Sequence, residues 1–248
     1  MKISDILNMP SMPIASPSYP KGPYRFLNRE YLIITYKSDP AAIRAALPEP
    51  LQPDGSNSVL YEFIRMPDSS GFGDYTESGV VIPCIYKGEA MNFTAQMYLD
   101  CAPPIAAGRE IWGFPKKFAH PKLEVAGDTL TGELKYAGEV VAMGTMAYKH
   151  IDLLKTKGAS AIEKKMGMTQ VNLKLIPGVD GSLAIAQLVA YNLTEITVKG
   201  AWEGAARLQL VPHVNAPVAD LAVKEIVGAS HFIADLTLPY GRVLHDYL

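Results

Sequence analysis

The chain has 248 residues, of which 48% are hydrophobic and 19% are charged, and its formal net charge is −2 at pH 7. This composition allows a sizeable core and excludes general disorder. It provides no basic stripe for nucleic acid and no polybasic cluster for an anionic membrane, and we find no apolar run long enough for a transmembrane helix.

The cysteines and the N-terminal residues indicate the cellular compartment in which the protein is found. Cys84 and Cys101 form no CxxC motif, and two buried free thiols fit a reducing cytosol better than a disulfide does. Residues 1–15 do not read as a secretory signal, because Asp5 and Pro10 interrupt the apolar stretch. We therefore expect a soluble, cytoplasmic, globular protein.

Residues 1–23 are expected to form an irregular arm, since proline and serine are frequent over 9–23. Alternating or β-branched runs predict the strands, and proline-opened or apolar-spaced runs predict three short helices. The predicted helices are 39–47, 103–112 and 159–166. The predicted strands are 29–36, 59–66, 75–86, 90–99, 122–125, 129–136, 139–148, 171–176, 184–198, 205–211 and 222–238.

The order of these elements predicts the fold class. Glycine turns at Gly127 and Gly138 separate three alternating runs, which is typical of a meander. Strands do not alternate regularly with helices, so a doubly wound parallel sheet is disfavoured. We predict one β-rich domain over residues 1–248, all-β or α+β: a single antiparallel barrel-like sheet with a few short helices.

Most motifs that carry chemistry are absent from the sequence. The five histidines are isolated and form no HxH or HExxH pattern, so we expect no metal site. No phosphate-binding glycine motif is present, and no G-x-S-x-G elbow supports a serine hydrolase.

The remaining candidate is the pair Lys116-Lys117. Such a pair is usually a solvated surface feature. Here it is embedded among Trp112, Phe114 and Phe118, and Pro115 restricts the backbone before it. Burial of one of the two amines is therefore a reasonable hypothesis.

The segment 108–117 also resembles the active-site segment of acetoacetate decarboxylases, and the similarity runs from about residue 16 to the end of the chain. Each motif alone is weak, but their common order and spacing are specific. The motifs that carry the resemblance are PKGPY at 20–24, NREY at 28–31, YTESG at 75–79, GREIWGFPKK at 108–117, MYLD at 97–100, AYKH at 147–150, RLQL at 207–210, VKEIV at 223–227 and DYL at 246–248.

The resemblance implies a function and a set of site residues. It implies decarboxylation of acetoacetate, or of a closely related small β-keto acid, to acetone and carbon dioxide through a lysine Schiff base. It further implies an antiparallel β-cone or barrel, a large dodecamer-like homo-oligomer and no cofactor. By the resemblance, Lys116 is the Schiff-base lysine, Glu77 and Arg29 are catalytic, Lys117 and Glu62 tune the pKa or support the site, and Met97 and Phe114 line the substrate pocket.

Two causes could depress the pKa of Lys116, namely burial and a neighbouring positive charge. In an extended segment, Lys116 and Lys117 point to opposite faces. We therefore predict that burial dominates and that Lys117 lies outside the pocket, at a subunit contact.

Three other interpretations stay open. The same scaffold could form the imine for another reaction, as an aldolase-dehydratase or as a decarboxylase of a bulkier keto acid. A non-catalytic barrel could bind a small apolar ligand, and a purely structural oligomer would need no buried lysine at all.

Overall fold

The computed structural model of the chain describes residues 1–248. Its helices are α1 (Ile3–Leu7), α2 (Pro40–Ala46), α3 (Ala102–Ala107), α4 (Leu153–Thr156) and α5 (Ala159–Met166). A π-helical turn, Gly108–Trp112, continues α3, and a 3-10 turn covers Val218–Asp220. No helix is long and apolar enough to cross a membrane.

The seventeen strands account for 52% of the residues, which confirms the β-rich prediction with few short helices. They are β1 (Tyr24–Lys37), β2 (Gln52–Pro53), β3 (Ser58–Met66), β4 (Asp68–Ser69), β5 (Tyr75–Tyr86), β6 (Glu89–Leu99), β7 (Lys116–Phe118), β8 (His120–Ala126), β9 (Thr129–Tyr136), β10 (Glu139–Ala147), β11 (Ile151–Asp152), β12 (Gln170–Pro177), β13 (Leu183–Tyr191), β14 (Thr194–Glu203), β15 (Ala206–Leu210), β16 (Glu225–Leu238) and β17 (Arg242–Asp246).

Thirteen strands form a large sheet, whose main path is β11-β14-β16-β1-β3-β5-β6-β12-β13-β17. The prediction of a single antiparallel barrel or cone is wrong in two respects. The sheet is open, because its edge strands β11 and β17 do not pair with each other. It is also mixed, because β7 and β12 both run parallel to β6. Between β6 and β7 the chain passes through α3 and the π-helical turn, and a crossover of this kind allows the two strands to run parallel. The alternation of residues within one strand does not reveal the direction of its neighbour, so the sequence did not predict this pairing.

The remaining four strands form a small sheet in the order β15-β10-β9-β8. Residues from both sheets meet in one core cluster, in which Leu32, Ile34 and Phe63 are fully buried. The sheets approach closely at Gly132, where an added Cβ would lie 2.2 Å from the Cγ of Phe63. This core supports one face of β1, β3, β5 and β6 and leaves the other face free to line a cavity.

β1 shows how the two faces are divided. Its register with β16 shifts between Phe26 and Arg29, where Asn28 adopts a φ of 54°. Bulges of this kind re-aim the side chains that follow them. From Arg29 onward, the odd-numbered residues of β1 face the cavity, and the even-numbered Leu32 and Ile34 face the core.

Several predicted elements are confirmed in detail, and others are not. The intervals 129–136 and 159–166 match β9 and α5 at both ends, and β8, β9 and β10 form the expected meander. The predicted strand 184–198 is wrong, because the chain turns at 192–193 and divides into β13 and β14. The sequence also failed to reveal β7, β11, β17, α4 and α1, the last of which lies within the expected irregular arm.

Candidate active site

Lys116 opens β7, and its position depends on the turn that precedes it. The π-helical turn ends at Gly113, whose φ of 74° lies in the left-handed region that favours glycine. Pro115 follows, and Lys116 then pairs with Met97 of the parallel strand β6. Arg109 holds the segment by donating a hydrogen bond from Nη1 to the carbonyl oxygen of Lys116 at 3.2 Å.

Gly108 gives the Lys116 side chain its space. An added Cβ at Gly108 would lie 2.7 Å from Cδ and 2.9 Å from Cε of Lys116. The lysine stem therefore lies directly against the backbone of the π-helical turn. Turns of this kind occur frequently at functional sites.

The amine of Lys116 lies beside a buried carboxylate. Its Nζ is 2.6 Å from Oε1 of Glu77, and the two residues are only 6% and 3% exposed. Arg29 lies on the other side of this carboxylate, with Nη2 3.8 Å from Oε2. The Phe114 ring, whose centroid is 5.0 Å from Nζ, forms an apolar wall. The three residues that the resemblance implies to be catalytic thus meet in one place.

The environment of Lys116 lowers the pKa of its amine. Burial is the largest cause, because it penalises the ammonium form, and the positive charge of Arg29 acts in the same direction. Glu77 opposes both by stabilising the ammonium, yet the net direction is downward.

Lys117 lies outside the cavity, as the opposite-face argument predicts. Its exposed side chain donates a hydrogen bond from Nζ to the carbonyl oxygen of Asn215 and lies 5.0 Å from the centre of the Tyr136 ring. The neighbouring ammonium is not among the causes that lower the pKa of Lys116. Burial of Lys116 and the charge of Arg29 are sufficient for that direction.

Glu62 lines the cavity on β3, two residues along that strand from the position opposite Glu77. It pairs with Gly79 of β5, whereas Glu77 pairs with Ile64 of β3. Burial raises the pKa of Glu62 to about 7, with the negative charge of Glu77 adding to the increase and Arg29 opposing it. Glu62 can therefore exchange a proton near neutral pH.

Apart from Oε1 of Glu77, which contacts the Lys116 amine, two buried polar atoms at this site have no hydrogen-bond partner in the protein. They are Nε of Arg29 and the hydroxyl oxygen of Tyr31, and both residues line the cavity. The guanidinium lies over the rings of Phe26 and Tyr31, at 5.1 and 4.9 Å from their centres. Because unsatisfied buried donors are costly, this arrangement favours an anionic ligand that accepts from them.

The cavity that contains these groups has a volume of about 390 Å³. Met97 and Phe114, which the resemblance implies for the substrate pocket, are among the residues that line this cavity. Sequence reasoning missed Gly108 as the contact of Lys116, and it missed the wall residues Tyr31 and Tyr191. Tyr31 and Gly108 lie inside quoted motifs, whereas nothing near Tyr191 in the sequence points to the site.

The chain belongs to the acetoacetate decarboxylase family, because the model described as "Acetoacetate decarboxylase (ADC)" matches residues 11–248. An acetoacetate decarboxylase of Paraburkholderia xenovorans is 56% identical over 251 residues, covering 100% of this chain and 97% of that protein. The crystal structure of acetoacetate decarboxylase from Legionella pneumophila is 51% identical, with a TM-score of 0.92 and coverage of 100% of this chain and 97% of that one.

A more distant structure shares the fold alone. The enduracididine biosynthesis enzyme MppR is 20% identical, with a TM-score of 0.82, and the match covers 96% of this chain and 95% of that chain.

Proposed function

We propose that this protein decarboxylates acetoacetate, or a closely related small β-keto acid, to acetone and carbon dioxide through a Schiff base on Lys116. The observation that carries the proposal is the buried amine of Lys116 beside Glu77 and Arg29 in one cavity. Family membership and the high identity to proteins named acetoacetate decarboxylase support the same reaction.

The lowered pKa of Lys116 serves the first step, in which a neutral amine must attack a carbonyl carbon. An ordinary lysine, with a pKa of about 10.4, is almost entirely protonated near neutral pH. Burial in the apolar cavity raises the neutral fraction. The amine of Lys116 then adds to the ketone carbon, and loss of water gives an iminium.

The iminium accepts the electron pair that decarboxylation releases. As the bond between the carboxylate carbon and the α-carbon breaks, carbon dioxide leaves and its electrons move to the iminium nitrogen, which gives an enamine. Protonation of the enamine carbon restores the iminium, and hydrolysis then releases acetone and the free amine of Lys116. No step needs an oxidant, a reductant or a metal.

Arg29 is the group that we assign to the substrate carboxylate. Its guanidinium carries the unsatisfied donor described above and lies within reach of the same cavity space as Lys116. Its planar fork suits bidentate binding of a carboxylate.

Glu77 and Glu62 take the two carboxyl roles in the proposal. Glu77 contacts the Lys116 amine and therefore positions it and relays its protons. Glu62, with a pKa near 7, supports proton exchange in the adjoining part of the cavity. Lys117 takes no part in the chemistry.

The direct test is reduction of the imine with borohydride. Wild-type protein incubated with acetoacetate and then borohydride should gain a stable adduct on Lys116, detected by peptide mass spectrometry, and should release carbon dioxide without the reductant. Lys116→Ala should lose both signals, whereas the matched Lys117→Ala variant should keep both. Trapping that persists in Lys116→Ala would refute the assignment.

We propose three further properties together with this function. Residues 1–248 act as one domain, and the protein works in the cytoplasm. It assembles into a large homo-oligomer. Apolar side chains exposed on separate strands, including Phe118, Leu183 and Val243, support burial against other copies. Light scattering during size-exclusion chromatography measures the assembly, and a monomer at micromolar concentration would contradict it.

A further inference from the structure

The cavity extends far beyond Lys116. On β1, β3 and β5, cavity-lining residues continue from Arg29 to Thr35, from Ile64 back to Ser58 and from Glu77 to Pro83. Each interval contains seven residues, and its six residue-to-residue steps correspond to about 20 Å of extended chain. The space therefore runs lengthwise along three neighbouring strands, with Lys116 near one end.

Exposure shows which end reaches solvent. Lys116 and Glu77 are nearly inaccessible, and the aromatic residues around them are also buried. Of all the residues that line the cavity, only Asp54, Ser56 and Lys165 are exposed. Asp54 and Ser56 belong to the loop between β2 and β3, and Lys165 lies in the last turn of α5.

Strand pairing places both exposed segments at the same end of the cavity. Pro53, which precedes Asp54, pairs with Cys84, and Pro83 pairs with Asn92. The backbone N–H of Asn92 in turn donates to the carbonyl oxygen of Thr169, at 3.0 Å. Neighbouring strands lie about 4.8 Å apart, so the β2–β3 loop and the segment after α5 flank one opening.

We propose that this space is the access channel of the enzyme, and that substrate and product pass between solvent and Lys116 through a mouth formed by Asp54, Ser56, Ser58 and Lys165. The proposal rests on the proposed function, since it assumes that a small acid must reach Lys116. It identifies residues about 20 Å from the reacting amine that control which acids arrive there.

The walls of the channel fit the passage of a slender anion. The middle section combines the apolar side chains of Ile33, Leu60 and Val81 with the hydroxyl groups of their cross-strand partners, which are Ser230, Thr35 and Thr94. Its one carboxyl group is that of Glu62, whose pKa burial raises to about 7, which reduces its negative charge near neutral pH. At the mouth, Lys37 donates from Nζ to the carbonyl oxygen of Ser56 and to Oγ of Ser58, at 2.6 and 3.0 Å. With Lys165, this gives two positive charges against the carboxylate of Asp54, a balance that favours the approach of an anion.

The chain offers a matched pair of positions for testing the mouth. In Ser56, the backbone N–H and Oγ both donate to Oδ1 of Asp54, at 2.9 and 2.7 Å. In Ser182, the same two groups donate to Oδ1 of Asp180, at 3.0 and 2.7 Å. Both serines are exposed, but only Ser56 lines the cavity.

The experiment places a removable plug at each position. Ser56→Cys and Ser182→Cys are treated with a benzyl methanethiosulfonate, full modification is verified by mass spectrometry, and wild-type protein accounts for reaction at Cys84 and Cys101. Two readouts follow: kcat/KM for acetoacetate, and the rate at which acetone with cyanoborohydride alkylates Lys116. The second readout reports access to the amine and does not require decarboxylation.

We expect the modified Ser56→Cys protein to lose at least about tenfold in both rates, because delivery to the amine becomes limiting. Dithiothreitol should restore both, and modified Ser182→Cys should keep both. Rates within about twofold of the unmodified protein at Ser56→Cys would overturn the channel, as would equal losses at the two positions. Blocked alkylation in a protein that never releases carbon dioxide would uphold the channel and refute the decarboxylase.

Discussion

Replacement of Gly108 by alanine should separate activity from stability at this site. The backbone of Gly108 has φ −61° and ψ −45°, which any residue adopts, so alanine introduces no backbone strain. The new Cβ would lie 2.7 Å from Cδ and 3.2 Å from Nζ of Lys116. Ordinary carbon contacts are about 3.5–4.0 Å, so the lysine side chain must move by about 1 Å.

That movement should cost activity and little else. The far end of a lysine is flexible and can be displaced cheaply, and alanine gains roughly 0.5–1 kcal/mol over glycine in a helix. Displacement of a reacting group by about 1 Å, in contrast, costs on the order of 10²-fold in rate. It would also disturb the contact of 2.6 Å between Lys116 and Glu77.

The assay compares kcat for acetoacetate, the rate of borohydride trapping and the urea unfolding midpoint in wild-type and Gly108→Ala proteins. Gly228→Ala is the matched control, because its added Cβ meets nothing within 4 Å. We expect a large loss of kcat and of trapping in Gly108→Ala with an unchanged or higher midpoint. A stable Gly108→Ala protein with wild-type kcat would refute the placement of the Lys116 amine.

Three further predictions follow from the same contacts. Glu77→Gln should lower the pKa of Lys116 further, because the Glu77 carboxylate stabilises the ammonium form and its loss leaves the effect of burial unopposed. The pKa of Lys116 is measured from the pH dependence of its acylation by a small activated ester, and an upward shift would contradict the assigned causes. Lys117→Met should leave the pH profile of Lys116 acylation unchanged, because the Lys117 side chain binds the carbonyl oxygen of Asn215 outside the cavity. A shift of one unit or more in the pKa of Lys116, about 1.4 kcal/mol, would show that Lys117 helps to lower that pKa. Leu32→Ala should reduce the free energy of unfolding, measured by urea titration, by about 2–5 kcal/mol. The folded protein should keep its kcat, because Leu32 is fully buried on the face of β1 that points away from the cavity. A loss of kcat without a loss of stability would contradict this separation of core and site.

Local patterns in the sequence determined most of the elements. Alternation and turn glycines predicted β9 and the meander, and proline with apolar spacing predicted α2. These features succeed because residues close in the chain decide them. The resemblance at 108–117 likewise singled out Lys116, and the alternation of strand faces predicted that Lys117 would lie outside the pocket.

Tertiary structure decided what depends on residues distant in the chain. The parallel pairing of β6 with β7 depends on the crossover through α3, and the large sheet is open because its edge strands β11 and β17 do not pair; no single strand encodes either feature. The lowered pKa of Lys116 likewise requires burial and the charge of Arg29 to outweigh the opposing effect of Glu77, and the residues that do this come from distant segments of the chain. Burial and charge are properties of the assembled site, and for this reason the sequence could nominate Lys116 but only the fold could show what surrounds it.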